Sequence, residues 1–202
     1  DPHGGRWLDG DLKPEIANPK LVIDGSRCLL VAFGPQHRDD EVYLYWLRDP
    51  EVVRTLNLPR YLETPVSKTE VVDYCDALMA SKTDLFLAIL DQDDHQFVGT
   101  IKAGRIDEYA GTADIGIMIG CRERWNRGLA TDAITTLAQY LFQRLNLRKL
   151  TAGSMACNPS MIRVFERLGF KREGLFREQD RLGDIYYDHI HLGCFRDEFT
   201  GG

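Results

Sequence analysis

An apolar run followed by a glycine-containing loop and a long amphipathic pattern is the feature that most limits the fold of this chain. Residues 115–119 are typical of a buried strand, and apolar side chains then recur at helical spacing over residues 128–145. The segment between them, residues 124–131, reads RWNRGLAT. The pattern predicts a strand, a loop and a helix in direct succession.

The segment 124–131 has the composition of an anion-binding loop. Gly128 and Ala130 carry little side-chain bulk, so a phosphate can approach the main chain closely. The helix that follows offers N–H groups without an intrahelical acceptor, at the positive end of its dipole. Three arginines within residues 122–127 add positive charge to a chain whose net charge is −6. We therefore predict a diphosphate site, although the segment lacks both the Gly-Lys-Ser/Thr of a nucleotide phosphate loop and the third glycine of a dinucleotide fingerprint.

A second motif, residues 158–170, reads NPSMIRVFERLGF and predicts a short capped helix. Asn158 suits the N-cap, and Pro159 suits the first helical position because it lacks an N–H group. Gly169 suits a left-handed C-terminal cap. Apolar residues form a stripe at three-residue spacing: Ile162, Phe165 and Leu168. By itself, this motif is also explained as a well-built helix without a ligand.

Together the two motifs resemble those of the GNAT N-acetyltransferases. The loop resembles the family's acetyl-CoA pyrophosphate loop, Gln/Arg-x-x-Gly-x-Gly/Ala. Residues 158–170 resemble its segment Asn-x-x-Ser/Ala-x-x-x-Tyr/Leu-Glu-Lys-x-Gly-Phe, in which the Asn holds the pantetheine arm. Trp125 stands where many members have Gln or Arg, and Trp followed by x-x-Gly-x-Ala-Thr resembles the RimJ/RimL branch. The resemblance covers residues 21–195.

The resemblance implies an α/β fold with a central mixed sheet flanked by helices, in which the strand before the loop splays from the strand after the long helix. Residues 1–20, which are polar and have no clear period, are predicted to be an N-terminal arm outside the resemblance, and residues 21–199 are expected to form a single acetyltransferase domain. The resemblance also implies acetyl-CoA as cofactor, with main-chain groups near the end of the splayed strand polarising the thioester carbonyl. The implied cofactor-binding residues are Met118, Ile119, Gly120, Arg124, Trp125, Asn126, Arg127, Gly128, Leu129, Ala130, Thr131, Asn158, Ser160 and Phe165.

The group that protonates the leaving thiolate is not fixed by the resemblance. Phe165 stands where many members carry the tyrosine to which this role is assigned, and Met161 stands where the branch often has a serine. Ser160 is one residue earlier, and one step along a helix turns a side chain by about 100°. We therefore expect Ser160 to cap the helix start. Ser160, a water that it orders, or loss of the thiolate unprotonated into solvent are the three open routes.

Asp114 is the candidate general base. It stands on the predicted strand at a position where the family often has a Glu that acts through water. The alternative is a carboxylate near the strand end that pairs with an arginine. Both interpretations stay open at the level of the sequence.

Composition and charge fit a globular enzyme. The chain has 202 residues, of which 44% are hydrophobic and 28% charged. The net charge argues against a nucleic-acid binder and mildly favours a cationic acceptor. No apolar run is long enough for a membrane span. The first residues lack the layout of a secretory signal, and the five cysteines are widely spaced, so we expect reduced thiols and a cytoplasmic location.

Other polar residues have structural interpretations. The acidic turn at residues 91–95 lacks the Gly and later Glu of a calcium loop and is predicted to be a solvated hairpin turn. His189 and His191 fall on one strand face without an identifiable third metal ligand, which indicates a structural or acceptor-lining role. Cys157 is predicted to be a packed thiol and not a nucleophile.

Remaining patterns predict a hairpin in residues 21–33, and a helix that starts at the capping box of Ser67 and runs to about Ser81. Further predicted helices are 39–47 and 50–56, and further strands are 85–90, 97–105, 112–120, 149–155, 171–177 and 186–195.

Two functions follow as hypotheses. The first is transfer of an acetyl group from acetyl-CoA to a primary amine by direct attack, the acceptor being a protein N-terminus, an amino sugar or a small amine such as a polyamine or antibiotic. The second is a non-catalytic acyl-CoA-binding or regulatory module of the same fold, which the missing tyrosine and displaced serine keep open. A homodimer is an open option.

Overall fold

One mixed sheet of eight strands organises residues 18–201, the part of the chain that a computed structural model describes. The strands are β1 (Val22–Asp24), β2 (Cys28–Ala32), β3 (Leu85–Asp91), β4 (Phe97–Asp107), β5 (Thr112–Ile119), β6 (Lys149–Met155), β7 (Lys171–Leu182) and β8 (Ile185–Phe195). Their order across the sheet is β1-β2-β3-β4-β5-β6-β8-β7. Neighbours are antiparallel except β5 and β6, which run parallel. Of the predicted arm, residues 1–17 lie outside the described residues.

Six helices flank the sheet in the described part of the chain. They are α1 (Pro35–Arg38), α2 (Glu41–Trp46), α3 (Pro50–Val53), α4 (Lys68–Ala80), α5 (Leu129–Gln143) and α6 (Pro159–Arg167), with 3₁₀ turns at Pro59–Leu62, Arg122–Arg124 and Arg196–Glu198. The predicted capping box of α4 is present: the Glu70 N–H donates to Ser67 Oγ at 3.2 Å, and the Ser67 N–H donates to Glu70 Oε2 at 2.8 Å. The short α1 and the turn Pro59–Leu62 had not been predicted.

The helices cover two hydrophobic cores on opposite faces of the sheet. Alternate residues of β3 belong to different cores, Leu87 and Ile89 to one and Phe86 and Ala88 to the other. The core that contains α5 and α6 is the first core, and the core that contains the buried residues of α2, α3 and α4 is the second core. This confirms the predicted architecture of a central sheet between helices.

The parallel strands β5 and β6 separate after a short paired stretch. Only three residue pairs join them: Thr112 with Lys149, Ala113 with Leu150, and Asp114 with Thr151. Both strands continue beyond these pairs, β5 to Ile119 and β6 to Met155, without pairing to each other. The predicted splay is confirmed, and the resulting opening is called the β5–β6 gap below.

The end of the chain differs from the prediction in the length of β7. It runs to Leu182, five residues past the predicted end, and joins β8 through Gly183, whose φ is +62°. The added residues are mostly charged, and they pair with β8 after a bulge between Phe176 and Asp180. Apolar alternation does not predict these polar residues as strand, because an exposed hairpin arm has no buried face.

Candidate functional site

The loop before α5 exposes main-chain donors. Asn126 and Gly128 have φ values of +61° and +79°, the left-handed conformation that asparagine and glycine tolerate best. The first helical hydrogen bond of α5 runs from the Asp132 N–H to the Gly128 carbonyl at 3.0 Å. Within residues 18–201, the N–H groups of Leu129, Ala130 and Thr131 donate to no protein acceptor. These free donors are the groups that the predicted anion site at the start of α5 requires.

Asp132 fixes the first turn of α5 against the β1–β2 hairpin. Its carboxylate accepts the main-chain N–H groups of Ser26 at 3.1 Å, Arg27 at 2.8 Å and Cys28 at 3.0 Å. Hydrogen bonds to a charged group are stronger than neutral ones, so this contact determines where the N-terminus of α5 lies. The acidic residue in the first helical turn is visible in the sequence, whereas its partners are not.

Arg27 is a residue that the sequence did not single out. Its side chain lies beside the loop, since a Cβ placed on Gly128 would come within 3.4 Å of Arg27 Nε. Neither Arg27 nor the exposed Arg127 forms an ion pair with any described residue. These two guanidinium groups therefore supply uncompensated positive charge next to the free N–H groups.

Arg124 has a different place from the one expected of a phosphate ligand. It forms ion pairs with Asp91 at 2.8 Å and Asp94 at 2.5 Å, and its side chain is only 16% exposed. The Gln96 N–H and then the Arg124 guanidinium lower the pKa of Asp94. The acidic turn is thus not merely solvated, as predicted, because it anchors the loop through Arg124.

Trp125 ties the loop to the open end of β5. Its Nε1 donates to the carbonyl of Ile119 at 2.8 Å, and its ring packs against the second core. The neighbouring Gly120 is in close contact with Trp46, because a Cβ there would lie 2.0 Å from Trp46 Cδ2. No larger residue fits at Gly120, so this junction depends on glycine.

The edge of β5 that faces the gap carries the main-chain groups of Ile117 and Ile119. The Gly120 N–H donates to the carbonyl of Val98 at 2.9 Å, towards β4. Because main-chain groups alternate in direction along an antiparallel pair, those of Met118 also point to β4, and those of Ile117 and Ile119 point away from it. Of the three residues implied on this strand, the structure turns only Ile119 towards the gap, and it adds Ile117.

The residues implied on α6 lie at three different depths. Asn158 is the N-cap: its Oδ1 accepts the Met161 N–H at 3.2 Å, and its Nδ2 donates to the Thr55 carbonyl at 3.1 Å. Phe165 is 2% exposed within the first core, with its ring 4.9 Å from that of Phe170, so its side chain faces no ligand. Ser160 is exposed, with Oγ 3.5 Å from Arg163 Nη2. Asn158 makes the cap, so the expectation that Ser160 would do so is wrong.

Comparison with known proteins identifies the family. Residues 27–171 match the family model described as "Acetyltransferase (GNAT) domain". The chain belongs to the GNAT family. It is therefore an acetyl-CoA-dependent N-acetyltransferase, and its fold and loop agree with the resemblance found in the sequence.

Individual GNAT relatives support this assignment. The chain is 30% identical to "Uncharacterized N-acetyltransferase p20" of Bacillus licheniformis over 80% of its own length and 89% of that protein. It is 24% identical to the ribosomal-protein-serine acetyltransferase of Escherichia coli, over 67% of its own length and 74% of that protein. A spermidine N-acetyltransferase from Vibrio cholerae, solved with CoA and spermine, superposes with a TM-score of 0.74 at 18% identity, covering 86% of this chain and 98% of that one.

The residues of this GNAT enzyme fit a CoA ester. Free N–H groups at the start of α5 and the unpaired Arg27 and Arg127 suit a diphosphate. The main-chain edge at Ile117 and Ile119 suits the amide groups of a pantetheine arm, since it offers N–H donors and the Ile117 carbonyl, while the Ile119 carbonyl already accepts Trp125 Nε1.

Asp114 lies where the gap begins. It is the last residue of β5 that pairs with β6. Its Oδ1 accepts the Thr151 hydroxyl at 2.7 Å, and its Oδ2 lies 3.9 Å from Arg105 Nη2. The structure thus gives geometric support to the alternative of an arginine-paired carboxylate, while leaving Oδ2 without a hydrogen bond to any described residue.

The remaining polar groups are placed as follows. His189 and His191 lie on one face, with ring centroids 5.0 Å apart. Burial raises the pKa of Cys157, which favours the neutral thiol of a packed residue over a nucleophile. All five cysteines are free.

Among residues 18–201, no three His, Cys, Asp or Glu side chains converge as a metal site would require, and no helix has the length and apolar character to cross a membrane.

Proposed function

We propose that this enzyme transfers the acetyl group of acetyl-CoA to a primary amine by direct attack in the β5–β6 gap. The observation that carries the proposal is a pair of main-chain surfaces in the described part of the chain that lack helix or strand partners, although the Ile119 carbonyl accepts Trp125 Nε1. One is the set of free N–H groups at residues 129–131, and the other is the open edge of β5 at Ile117 and Ile119. A ligand with a diphosphate at one end and amides along its arm matches both.

The binding roles follow from this placement. The N–H groups of residues 129–131, with Arg27 and Arg127, hold the diphosphate. Ile117 and Ile119 hold the pantetheine arm, and Asn158 meets it from α6. When bound, acetyl-CoA supplies a thioester-activated acetyl group. A main-chain N–H at the gap is the candidate to stabilise negative charge on the acetyl oxygen.

The main contribution of the chain's own residues to the reaction is to hold the amine and the acetyl group in alignment. Holding an amine and an acyl group in alignment lowers the barrier by up to about 7–11 kcal/mol. Asp114 is the candidate that the sequence offers for removing the amine proton, and it lies at the start of the gap. The leaving thiolate takes its proton from solvent, since Ser160 is exposed and Phe165 has no hydroxyl.

The acceptor is inferred to be a primary amine with positive charge before attack. The net charge of −6 favours approach of a cation. A cleft of about 690 Å³ at the β7 bulge is lined by the carboxylates Glu178 and Asp188, the cation Arg177, and the apolar Leu175 and Phe176, so the two carboxylates outnumber the one cation and suit an ammonium on an apolar stem. The similar proteins named for a ribosomal protein and for spermidine fall within this chemistry.

A free-thiol release assay tests the proposal. Acetyl-CoA is supplied with peptides bearing a free N-terminus, with an amino sugar and with spermidine, in separate reactions, and acetylated products are identified by mass spectrometry. We expect thiol release that depends on one acceptor class and one acetyl group on its amine. Binding of acetyl-CoA by calorimetry without turnover on any of these amines would favour the non-catalytic module.

A further inference from the structure

We propose that His189 is the general base that removes the proton of the acceptor ammonium, and that Asp180 holds its ring in position. This inference rests on the proposed function and assigns a residue to its proton-transfer step. His189 lies on β8, which pairs with β6 at the gap, and Asp180 lies on β7 at the edge of the sheet; both are outside the two cofactor motifs.

The contact between the two residues sets which nitrogen of His189 is basic. His189 Nδ1 lies 2.7 Å from Asp180 Oδ2. An ionised carboxylate only accepts hydrogen bonds, so Nδ1 carries the hydrogen and Nε2 carries the lone pair. The two side chains are 15% and 17% exposed, so surrounding protein restrains the pair while solvent still reaches it.

The second ring nitrogen of His189 lies over β6, the strand that borders the gap. A Cβ placed on Gly153 would lie 2.5 Å from His189 Nε2, so the ring lies directly over that glycine. Gly153 follows Thr151, the last residue of β6 that pairs with β5, by two positions. Nε2 therefore lies at the point where the two strands have just separated.

The opposite side of the gap leaves room for an acceptor. Gly116 follows Asp114, the last paired residue of β5, by two positions, as Gly153 follows its counterpart on β6. A Cβ on Gly116 would meet nothing within 4 Å. Two glycines thus flank the opening, one beneath the imidazole and one beside open space into which an amine fits.

The neighbouring His191 cannot take this role. Its Nε2 is buried and has no hydrogen-bond partner among residues 18–201. Its ring also packs against that of Phe176, with the ring centroids 4.4 Å apart and the planes tilted by 55°. His189 Nε2 is not enclosed in this way. Because the two histidines share a strand face but differ in access, they form a matched pair for experiment.

An imidazole also suits the step better than Asp114 does. Imidazole accepts a proton near neutral pH, whereas an ordinary carboxylate does so only under acidic conditions. Asp114 is bonded to Thr151 through Oδ1 and lies 3.9 Å from Arg105 through Oδ2. His189 Nε2 has no such competing partner in the described part of the chain.

The proton balance is complete with groups that the reaction already contains. The ammonium gives one proton to Nε2, and its nitrogen lone pair forms the N–C bond to the acetyl carbon. The C–S bond breaks with its electron pair on sulfur, the second proton lost by nitrogen passes to solvent, and the thiolate takes a proton from solvent. Nε2 then releases its proton to solvent. Asp180 takes no proton and acts by fixing the ring and stabilising the imidazolium.

The test compares His189→Gln with His191→Gln. Glutamine retains a hydrogen bond to Asp180 but does not accept a proton, so kcat with the acceptor found by thiol release should fall by about 10²–10⁴. The Kd for acetyl-CoA, measured by calorimetry, should stay within about twofold, because no cofactor-binding group has changed. His191→Gln should keep kcat within about threefold. For Asp180→Asn, nitrogen-15 NMR of the apoprotein should show loss of the single Nδ1–H tautomer that the wild-type His189 ring displays.

Several results would overturn the assignment. These are wild-type kcat in His189→Gln, a change confined to KM, a larger loss in Asp114→Asn or His191→Gln, or a wild-type ring with its hydrogen on Nε2. A wild-type protein without turnover on every amine would overturn the proposed function and this inference together. An active wild type with an active His189→Gln variant would overturn this inference alone.

Discussion

The side of the gap proposed to bind the acetyl donor, called the donor side, and the side proposed to receive the amine, called the acceptor side, are built in different ways. The donor side consists of one contiguous segment, residues 124–132, and works mainly through main-chain N–H groups. The acceptor side draws single side chains from separate strands, among them Asp114, Asp180 and His189. The donor side therefore depends on local conformation, whereas the acceptor side depends on strand order and register.

This difference explains how each side can vary. Main-chain N–H groups do not depend on residue type. The sequence of the donor side is therefore constrained only where the backbone conformation requires a particular residue, above all at Gly128. Side chains on an acceptor face can change without disturbing the ladder beneath them. The comparison predicts that donor-side changes abolish cofactor binding, and that acceptor-side changes alter turnover while binding persists.

The largest effect is expected for Gly128→Glu. Its φ of +79° costs a non-glycine residue about 1–2 kcal/mol, and the new carboxylate would face the diphosphate. We expect affinity for acetyl-CoA to fall by about a hundredfold or more, measured by calorimetry. The matched control is Gly183→Glu, where φ is +62° and the surroundings are open. Unchanged affinity in Gly128→Glu would show that the loop is not the diphosphate site.

A smaller donor-side effect is expected for Asp132→Ala. The variant removes the acceptor of three main-chain N–H groups and frees the start of α5 from the β1–β2 hairpin. We expect a loss of about 1–3 kcal/mol in unfolding free energy and about tenfold weaker acetyl-CoA binding. Denaturant titration and calorimetry measure the two.

Asp73→Ala, on the exposed face of α4, is the matched control for this variant. It should leave stability within about 0.5 kcal/mol of wild type. If Asp132→Ala behaved like Asp73→Ala in both measurements, the position of α5 would not depend on the hydrogen bonds that Asp132 accepts from the β1–β2 hairpin.

The same contrast decides how far the sequence could predict the site. The loop 124–131 and the helix 158–170 were recognisable because each motif is contiguous, and their caps and spacing were confirmed. Arg27 was not recognisable, because its place beside Gly128 depends on a carboxylate 105 positions away in the chain. A contact between residues so far apart in the chain leaves no pattern in the sequence around either residue.

Individual misassignments have equally specific causes. Phe165 was placed at the cofactor by analogy with a tyrosine, but its helical phase directs it to Phe170 in the first core. Ser160 was expected to cap α6, but Asn158 already fills that role. The approach of Asp180 to His189 depends on the β7 bulge, which shifts the register by an amount that alternation alone cannot give.

Asn158→Ala tests whether Asn158 has only a structural role or also contacts the cofactor. Asn158 caps α6 and bonds to the Thr55 carbonyl, so its removal should lower stability by about 1 kcal/mol. If the amide also meets the pantetheine arm, the KM for acetyl-CoA should rise by about three- to tenfold. A variant that loses stability but keeps its KM would show that Asn158 is a structural cap only.

The smallest effect is expected for Ser160→Ala. The hydroxyl is exposed and lies 3.5 Å from Arg163 Nη2, away from any cap position. Turnover should fall by less than about threefold, well under the range of about 10²–10⁴ for a general acid. A thousandfold fall with intact acetyl-CoA binding would instead make Ser160 the proton donor and extend catalysis to the donor side.

Amide hydrogen exchange with and without CoA tests the central claim most directly, since that claim concerns main-chain donors. The N–H groups of Leu129, Ala130 and Thr131 have no acceptor among the described residues, and a bound diphosphate would supply one. We predict that saturating CoA slows their exchange by about tenfold or more, together with that of Ile117 or Ile119 on β5. Unchanged exchange at residues 129–131, in a sample where calorimetry shows CoA bound, would contradict the account.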